Sequence, residues 1–150
     1  MITPFLIDHT AWLLHSFRHW TGRNLIPASG SPEARARHLF NVPFVVISHG
    51  IDDDPVLNYG NQAALTLWEM SWEDFTKMLS RVTAEPMEQA ERARLLTEVS
   101  KKGFMDGYGG VRISKTGRRF RVGNATVWNL LDEQDRYFGQ AATFSQWTYL

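Results

Sequence analysis

His49 is the side chain of this sequence with the widest range of possible chemistry. It follows the apolar run 44–48 and precedes Gly50, at the point where a strand is expected to end. Its imidazole could contact a ligand or serve as an axial ligand of haem iron, since imidazole is a common iron ligand. The alternative is a histidine whose hydrogen bond orients the following turn. The sequence leaves both roles open.

The other candidate metal ligands lack the spacing of a metal site. His15 and His19 stand four residues apart on a predicted helix, where two imidazoles could share a metal, but no third ligand is evident nearby. Asp52, Asp53 and Asp54 do not match a Ca²⁺ loop, and aspartate before proline is typical of turns. The chain has no cysteine, which excludes disulfides, thiolate nucleophiles and cysteine-ligated metals. The sequence therefore predicts no metal site.

A polar pair inside an apolar strand face indicates a small-molecule pocket. Side chains alternate along a strand, so one face of the run after Arg119 carries Phe120, Val122, Asn124, Thr126, Trp128 and Leu130. A few polar groups in an apolar cavity are typical of a ligand site. The alternative is that neighbouring backbone or water satisfies Asn124 and Thr126. We expect helices that carry Trp68 and Trp72 to close the pocket.

The first element that must support this site is an amphipathic helix over residues 3–21. Thr3 is a favoured N-cap, and apolar residues recur at helical spacing. We assign His9, His15 and His19 to the solvated face of this helix.

The apolar side of the same helix is a candidate interface. Trp12, Phe17 and Trp20 provide more apolar area than a free helix should expose. These side chains must cover either this protein's own sheet or a second copy of the chain, so a homodimer through the N-terminal helix is one expectation.

The rest of the chain alternates between strands and helices in a defined order. Turn residues, β-branched runs and N-cap residues predict these elements. They are a helix over 33–40, strands over 44–48 and 56–59, helices that begin at Asn61 and Ser71, a long helix over 87–102, and three antiparallel strands within 111–147.

Composition restricts the class of protein. The 150 residues, 43% of them hydrophobic, fit one soluble domain, and 16 basic residues balance 16 acidic ones. No charge excess favours nucleic acid or an anionic membrane, and no apolar run approaches a membrane span. Without a signal peptide, the expected location is cytoplasmic. The basic segment Arg112, Arg118, Arg119 and Arg121 is interpreted as a solvated strand face or a contact with an acidic partner.

Two strands, a group of helices and three antiparallel strands resemble the topology of the PAS domain. More specifically, seven short motifs over about residues 40–147 resemble the MEKHLA domain, a PAS-related module found alone in bacteria and at the C-terminus of some plant homeodomain–leucine zipper proteins. The motifs are Ser48–Gly50, Asp54–Pro55, Asn58–Asn61, Arg112–Ser114, Gly117–Phe120, Val127–Asn129 and Gly139–Ala142. The bacterial stand-alone form is the expected one.

The resemblance implies an α+β fold with a PAS-like five-stranded antiparallel sheet, helices on one face and an added N-terminal helix. We expect a helical extension over residues 1–40 and a MEKHLA/PAS-like domain over 41–150. The implied function is a sensory or regulatory small-molecule-binding module without catalytic activity, whose output passes to a separate protein partner. The alternatives are a protein–protein interaction module with a filled core, and a small α+β enzyme acting on a bound metabolite.

The resemblance does not imply a particular ligand or cofactor. Haem is not expected, because PAS domains that bind it carry the ligating histidine on the later helix, and residues 87–102 contain none. Covalent flavin photochemistry requires a cysteine and is excluded, whereas non-covalent flavin binding stays open. The predicted ligand-binding residues are His49, Asn58, Tyr59, Trp68, Trp72, Phe120, Asn124, Thr126 and Trp128.

Overall fold

The computed structural model of the chain describes residues 2–150, with the side chains of Pro86 and Met87 outside the description. The elements follow the predicted order, with a short 3₁₀ helix at Ser80–Thr83. The helices are α1 (Pro4–Thr21), α2 (Pro32–Asn41), α3 (Gln62–Trp68), α4 (Trp72–Phe75) and α5 (Pro86–Lys102). The strands are β1 (Val45–His49), β2 (Leu57–Gly60), β3 (Phe104–Ile113), β4 (Arg119–Leu131), β5 (Tyr137–Phe144) and β6 (Gln146–Tyr149).

The sheet has the strand order β2-β1-β5-β4-β3, and every pairing is antiparallel. After a break at Ser145, β6 continues along the same side of β4. The sheet therefore has five strand positions, and the strand that comes last in the chain is divided into the two segments β5 and β6. The predicted α+β fold with an antiparallel sheet and an added N-terminal helix is confirmed.

Helices cover both faces of this sheet. We call the face toward α3, α4 and α5 the inner face, where Phe120 and Val122 share a core cluster with Leu65. We call the opposite face the outer face, where Leu13 of α1 and Trp128 of β4 share the second cluster. In the part of the chain that the structure describes, no helix is both long and apolar enough to cross a membrane.

Helix α1 has the predicted start, but one of its histidines is on the opposite side from the prediction. The Thr3 hydroxyl accepts a hydrogen bond from the Leu6 backbone N–H at 3.2 Å. His15 and His19 are exposed as expected. His9 is only 1% exposed, so its assignment to the solvated face is wrong. It lies three residues after Leu6 and four before Leu13, which places it on the buried stripe.

Asn61 connects three elements beneath the sheet edge. Its Oδ1 accepts hydrogen bonds from the Ala64 N–H, as the N-cap of α3, and from the Val46 N–H of β1. Its Nδ2 donates to the carbonyls of Leu39 and Phe44. Asn61 is fully buried, and the predicted N-cap therefore also fixes the position of α2 and β1 relative to α3.

Strand β4 reverses its faces at Asn124, which corrects the predicted pocket wall. Asn124 has a φ of 54° and is exposed, so the simple alternation of side chains is interrupted there. Before it, Phe120 faces inward, whereas Trp128 after it packs on the outer face. The expectation that Asn124 and Thr126 share one face with Phe120 and Trp128 is wrong.

Candidate ligand-binding site

A cavity of about 50 Å³ lies between the inner face of the sheet and the helices α3 and α5. Strand β1 contributes Ile47 and His49 to its lining, and α3 contributes Trp68. Helix α5 contributes Arg92, and β3 contributes Arg112. Elements from both ends of the domain sequence therefore meet at this one site.

The lining of the cavity is mainly apolar, with Val122 and Val127 of β4 and Phe144 of β5 among its residues. Its polar groups include the two arginines, Tyr108 of β3, and Ser80 and Thr83 of the 3₁₀ helix. A mainly apolar wall with a few converging polar groups is the usual composition of a small-molecule site.

Arg112 is buried, with 8% exposure, and this corrects its assignment to a solvated strand face. Its Nη1 donates to the Val111 carbonyl at 3.0 Å, and its Nη2 donates to the Tyr108 hydroxyl at 2.6 Å. Its guanidinium also lies 5.4 Å from the centroid of the Tyr108 ring. A Cβ atom at Gly110 would lie 2.8 Å from Nη1, so the glycine is what allows the side chain to fold back toward the cavity.

Arg92 is the second cationic group of the cavity. It donates through Nη2 to the Ser80 hydroxyl. Burial lowers the pKa of Arg92 to about 10, and the nearby positive charge of Arg112 contributes to this lowering. At neutral pH the guanidinium therefore remains protonated. Among the described residues, neither arginine forms an ion pair with a carboxylate.

His49 and Trp68 both line the cavity and each has an unsatisfied nitrogen. His49 Nδ1 lies 3.0 Å from the Gly50 carbonyl, which assigns the proton to Nδ1 and leaves Nε2 as an acceptor. Burial lowers the pKa of His49 to about 4, against the smaller effect of the Gly50 bond, so the ring is neutral at pH 7. In the described part of the chain, His49 Nε2 and Trp68 Nε1 have no hydrogen-bond partner.

A surface groove of about 410 Å³ adjoins the cavity. His49, Arg92, Leu96 and Gln140 line both spaces, so they form the partition between them. Gln140 is held in place because its Nε2 donates to the Leu96 carbonyl at 2.9 Å and to Asn129 Oδ1 at 3.2 Å.

The acidic turn lies at the outer rim of this groove. Asp52, Asp53 and Asp54 are exposed, and Asp54 forms an ion pair with Arg81 at 3.1 Å. Residues 2–150 contain no group of three histidine or acidic side chains that could hold a metal ion. The rim aspartates thus have the arrangement of a solvated turn.

Only part of the predicted set of site residues meets at the cavity. His49 and Trp68 line it, and Phe120 packs edge-on to Trp68, with ring centroids 5.2 Å apart. Thr126 lies away from it and donates its hydroxyl to Asp106 Oδ1 at 2.6 Å. Asn124 is exposed at the strand reversal.

The remaining predicted residues belong to the outer face or to the sheet edge. Tyr59 stacks on His9 with ring centroids 5.4 Å apart, and Trp72 packs edge-on to Tyr59. Trp128 packs edge-on to Phe17 of α1. Asn58, Tyr59, Trp72 and Trp128 are therefore not placed together with His49 and Trp68, and Asn58 Oδ1 instead accepts a hydrogen bond from the Ser48 hydroxyl.

Sequence reasoning missed Arg92, Arg112, Tyr108 and Gln140 as cavity residues. One signal was available for Arg112, because it stands between Val111 and Ile113 in a strand and a charged residue there is either exposed or paired. Arg92 lies in a helix with charged residues on several sides, and its sequence context gives no comparable signal.

The cavity does not fit a large cofactor in this conformation. Pockets for drug-sized ligands and cofactors have volumes of about 300–1,000 Å³, well above the 50 Å³ found here. On the inner face, Trp68 packs edge-on to both Phe120 and Phe144. The residues present therefore do not accommodate a flavin or a haem.

The fold defined by this sheet and its helices is that of the PAS domain. A PAS domain from Colwellia psychrerythraea has a TM-score of 0.66 at 13% identity, covering 79% of this chain and 95% of that one. The photo-excited blue-light photoreceptor Vivid has a TM-score of 0.65 at 12% identity, covering 97% of this chain and 99% of that one. At these identities the similarity shows the fold alone.

The chain belongs to the MEKHLA domain family, whose sequence model matches residues 7–149. The match includes most of α1, and the predicted boundary between residues 1–40 and 41–150 stays a prediction. Homeobox-leucine zipper protein HOX9 of Oryza sativa subsp. indica is 24% identical over 144 residues, and ATHB-8 of Arabidopsis thaliana is 23% identical over 143. Each alignment covers 93% of this chain and 17% of the plant protein. The bacterial stand-alone origin stays a prediction.

Proposed function

We propose that this MEKHLA domain is a sensory or regulatory module that binds a small molecule in the inner cavity and has no catalytic activity of its own. The observation that carries the proposal is the pair of buried, unsatisfied nitrogens, His49 Nε2 and Trp68 Nε1, on two residues that line that cavity. Leaving a buried polar atom without a partner costs about 1–3 kcal/mol. A bound molecule that supplies a partner to either nitrogen would recover part of this free energy.

Strand β1 offers a direct connection from the cavity to the outer face. His49 lines the cavity, and the preceding Ser48 lies 2.8 Å from His9 Nε2 of α1 through its hydroxyl. Consecutive strand residues point to opposite faces. A ligand that shifts His49 therefore changes the position of Ser48, and with it the contact that holds α1.

The proposed output is a change in how α1 is presented to a separate protein partner or to a second copy of the chain. Trp12 is only partly buried on α1, and its indole N–H donates to Glu133 at 3.2 Å. The fungal photoreceptor Vivid, which has this fold, forms a light-state dimer. We place the module in the cytoplasm, with no nucleic acid and no membrane among its partners.

Mass spectrometry and thermal melts of the purified protein test this proposal. We expect native mass spectra to contain a species heavier than the polypeptide, and melts with a metabolite panel to show a rise in Tm with at least one compound, since a ligand of the folded state stabilises it. The ligand should be recovered unchanged. Chemical conversion of it would support the small-enzyme alternative instead.

A conservative pair of variants localises the binding. Trp68→Phe keeps an aromatic ring and removes the unsatisfied N–H, so the ligand-dependent rise in Tm should become smaller. Trp147→Phe is the control, because Trp147 is half-buried on β6 and does not line the cavity. A wild-type protein with neither a bound species nor a ligand-dependent Tm would contradict the proposal and favour a protein–protein interaction module.

A further inference from the structure

We infer that the inner cavity binds a small monocarboxylate, with Arg92 and Arg112 holding the carboxylate and the apolar strand side chains holding a short aliphatic part. The inference rests on the proposed function, because it names the ligand class for the same cavity.

The first argument is the positive charge of the cavity lining. Two guanidinium groups line one small cavity, and Arg112 is only 8% exposed. Buried charges in proteins are normally paired or bound to a counter-ion. Among the residues that the structure describes, no carboxylate pairs with either arginine, although nine other contacts between basic and acidic side chains are formed. An anion in the cavity would offset the repulsion between the two cations.

The second argument is the number of free donors. Each guanidinium carries five N–H donors in a planar arrangement. Arg112 uses Nη1 and Nη2 for Val111 and Tyr108, and Arg92 uses Nη2 for Ser80. The remaining N–H groups suit an acceptor with two oxygens, since arginine binds carboxylates through paired hydrogen bonds. The unsatisfied Trp68 N–H is a further donor in the same wall.

The third argument is the size of the cavity together with the apolar residues in its lining. A water molecule needs a cavity of at least about 10–15 Å³, so 50 Å³ holds an anion of only a few heavy atoms. The same cavity is lined by the apolar side chains of Ile47, Val122 and Phe144. A short aliphatic chain gains from contact with these side chains, whereas an inorganic anion has no apolar part to place there.

Calorimetric titration of the full chain with sodium propionate and sodium acetate is the direct experiment. Propionamide serves as the neutral analogue, sodium phosphate as the inorganic anion, and sodium chloride as the ionic-strength control. We expect propionate to bind more tightly than acetate and at least about tenfold more tightly than propionamide, because a charged acceptor strengthens the arginine contacts. Equal binding of propionamide, or phosphate binding more tightly than propionate, would overturn the inference.

Charge-preserving variants then test the two arginines. Arg112→Lys and Arg92→Lys each retain the positive charge and lose the planar pair of donors. We expect each to weaken propionate binding by about tenfold or more, while Arg121→Lys, an exposed arginine of β4, leaves it unchanged. Melts confirm that the variants fold. Should Arg112→Lys fail to fold, Arg92→Lys decides, because Arg92 is only half-buried. Unchanged propionate affinity in a folded variant contradicts the assignment.

The failure of this inference can be distinguished from the failure of the proposed function. If the carboxylates do not bind but a neutral or cationic metabolite raises the Tm, the cavity is a ligand site of another class and the carboxylate assignment is wrong. If no compound binds and no small molecule is retained through purification, the carboxylate inference and the proposed function are both wrong.

Discussion

The outer and inner faces of the sheet differ in the partners that their buried polar groups have. On the outer face, Trp128 is fully buried and packs edge-on to Phe17 at 4.9 Å. The buried imidazole of His9 there has Ser48 as its hydrogen-bond partner. On the inner face, the buried guanidinium of Arg112 has no carboxylate partner among the described residues, and a cavity remains beside it.

The outer face is not free of unsatisfied polar atoms either. Tyr59 and Trp128 each have one in the described structure, and so does Thr10 of the covering helix α1. None of these three side chains, however, lines the inner cavity, and Tyr59 is packed between His9 and Trp72. The inner face combines unsatisfied atoms with open volume and with net positive charge. The comparison indicates that the outer face mainly stabilises the fold, whereas the inner face next to α5 carries the cavity in which we propose that a ligand binds.

The largest expected effect is on the outer face. Trp128→Ala should lower the free energy of unfolding by about 3–5 kcal/mol, because it removes a large buried side chain and leaves a cavity beneath α1. Urea denaturation measures the loss. Trp147→Ala on the half-buried β6 strand is the control and should cost clearly less. Equal losses would show that the outer face is not the main stabilising layer.

The second effect is the dependence of stability on pH. Burial lowers the pKa of His9 to about 4 from an ordinary value of 6.5, so the unfolded chain binds the proton more tightly. The contribution of neutral His9 to the free energy of unfolding is therefore fully present above pH 6.5. It is lost progressively as the pH drops from 6.5 toward 4. At pH 5 the loss from His9 should be about 2 kcal/mol, because each pH unit within this window corresponds to about 1.4 kcal/mol.

Urea denaturation of His9→Gln at pH 7.5 and pH 5 checks this contribution. The difference in stability between the two pH values should be about 2 kcal/mol smaller in the variant than in the wild type. His15→Gln, an exposed position on the same helix, should behave as the wild type does. A His9 variant with an unchanged pH dependence would exclude a buried neutral imidazole at this position.

Two neighbouring alanines of β5 allow the faces to be compared at one level of the sheet. Both residues line the cavity, but Ala141 also belongs to the outer-face cluster, whereas Ala142 does not and pairs with Val127. Ala141→Val should overpack the outer face and cost about 1–3 kcal/mol. Ala142→Val should fill the cavity and change stability by less than about 1 kcal/mol in either direction, while it abolishes ligand binding. Reversed effects in thermal melts would contradict the assignment of the two faces.

The last expected effect lies in the β3–β4 turn, away from both faces. Gly117 has a φ of 86°, and a Cβ atom at this position would meet no neighbouring atom within 4 Å. A substitution there therefore acts through backbone strain alone. Gly117→Val should cost at least about 1 kcal/mol. Gly123, which also has open space but no positive φ, is the matched control. Equal stability of Gly117→Val and Gly123→Val would show that the turn tolerates a side chain.

The sequence predicts the elements well because their signals are local. Thr3, Asn61 and Ser71 are the predicted N-caps, and the structure shows each accepting the capping hydrogen bond. Such bonds join residues three positions apart, so residue type and spacing are sufficient to identify them. The order of these elements, together with the family motifs, was in turn sufficient to predict the PAS-like sheet.

The faces of β4 could not be predicted from alternation. The reversal at Asn124 is matched by one on the neighbouring strand, where Phe144 and Trp147 on either side of Ser145 both belong to the inner-face cluster. Their pairing keeps the same register on both sides of the break, Thr126 with Thr143 and Gly123 with Gln146. The irregularity at Asn124 and the break at Ser145 therefore lie at the same level of two paired strands. Because the two residues are far apart in the sequence, local patterns do not reveal that they lie at the same level.

The amino-acid sequence by itself therefore determined the helices and strands, their caps, the family and the absence of thiol chemistry, since each follows from residue type and short-range spacing. Only the tertiary structure decided which side chains are buried together. His9 and Arg112 look solvent-exposed in their own segments, but α1 packs His9 against β1 and β2, and Gly110 leaves the space that brings Arg112 to the cavity. Burial of a polar side chain depends on what the rest of the chain places over it, which is a property of the packed fold and not of the local sequence.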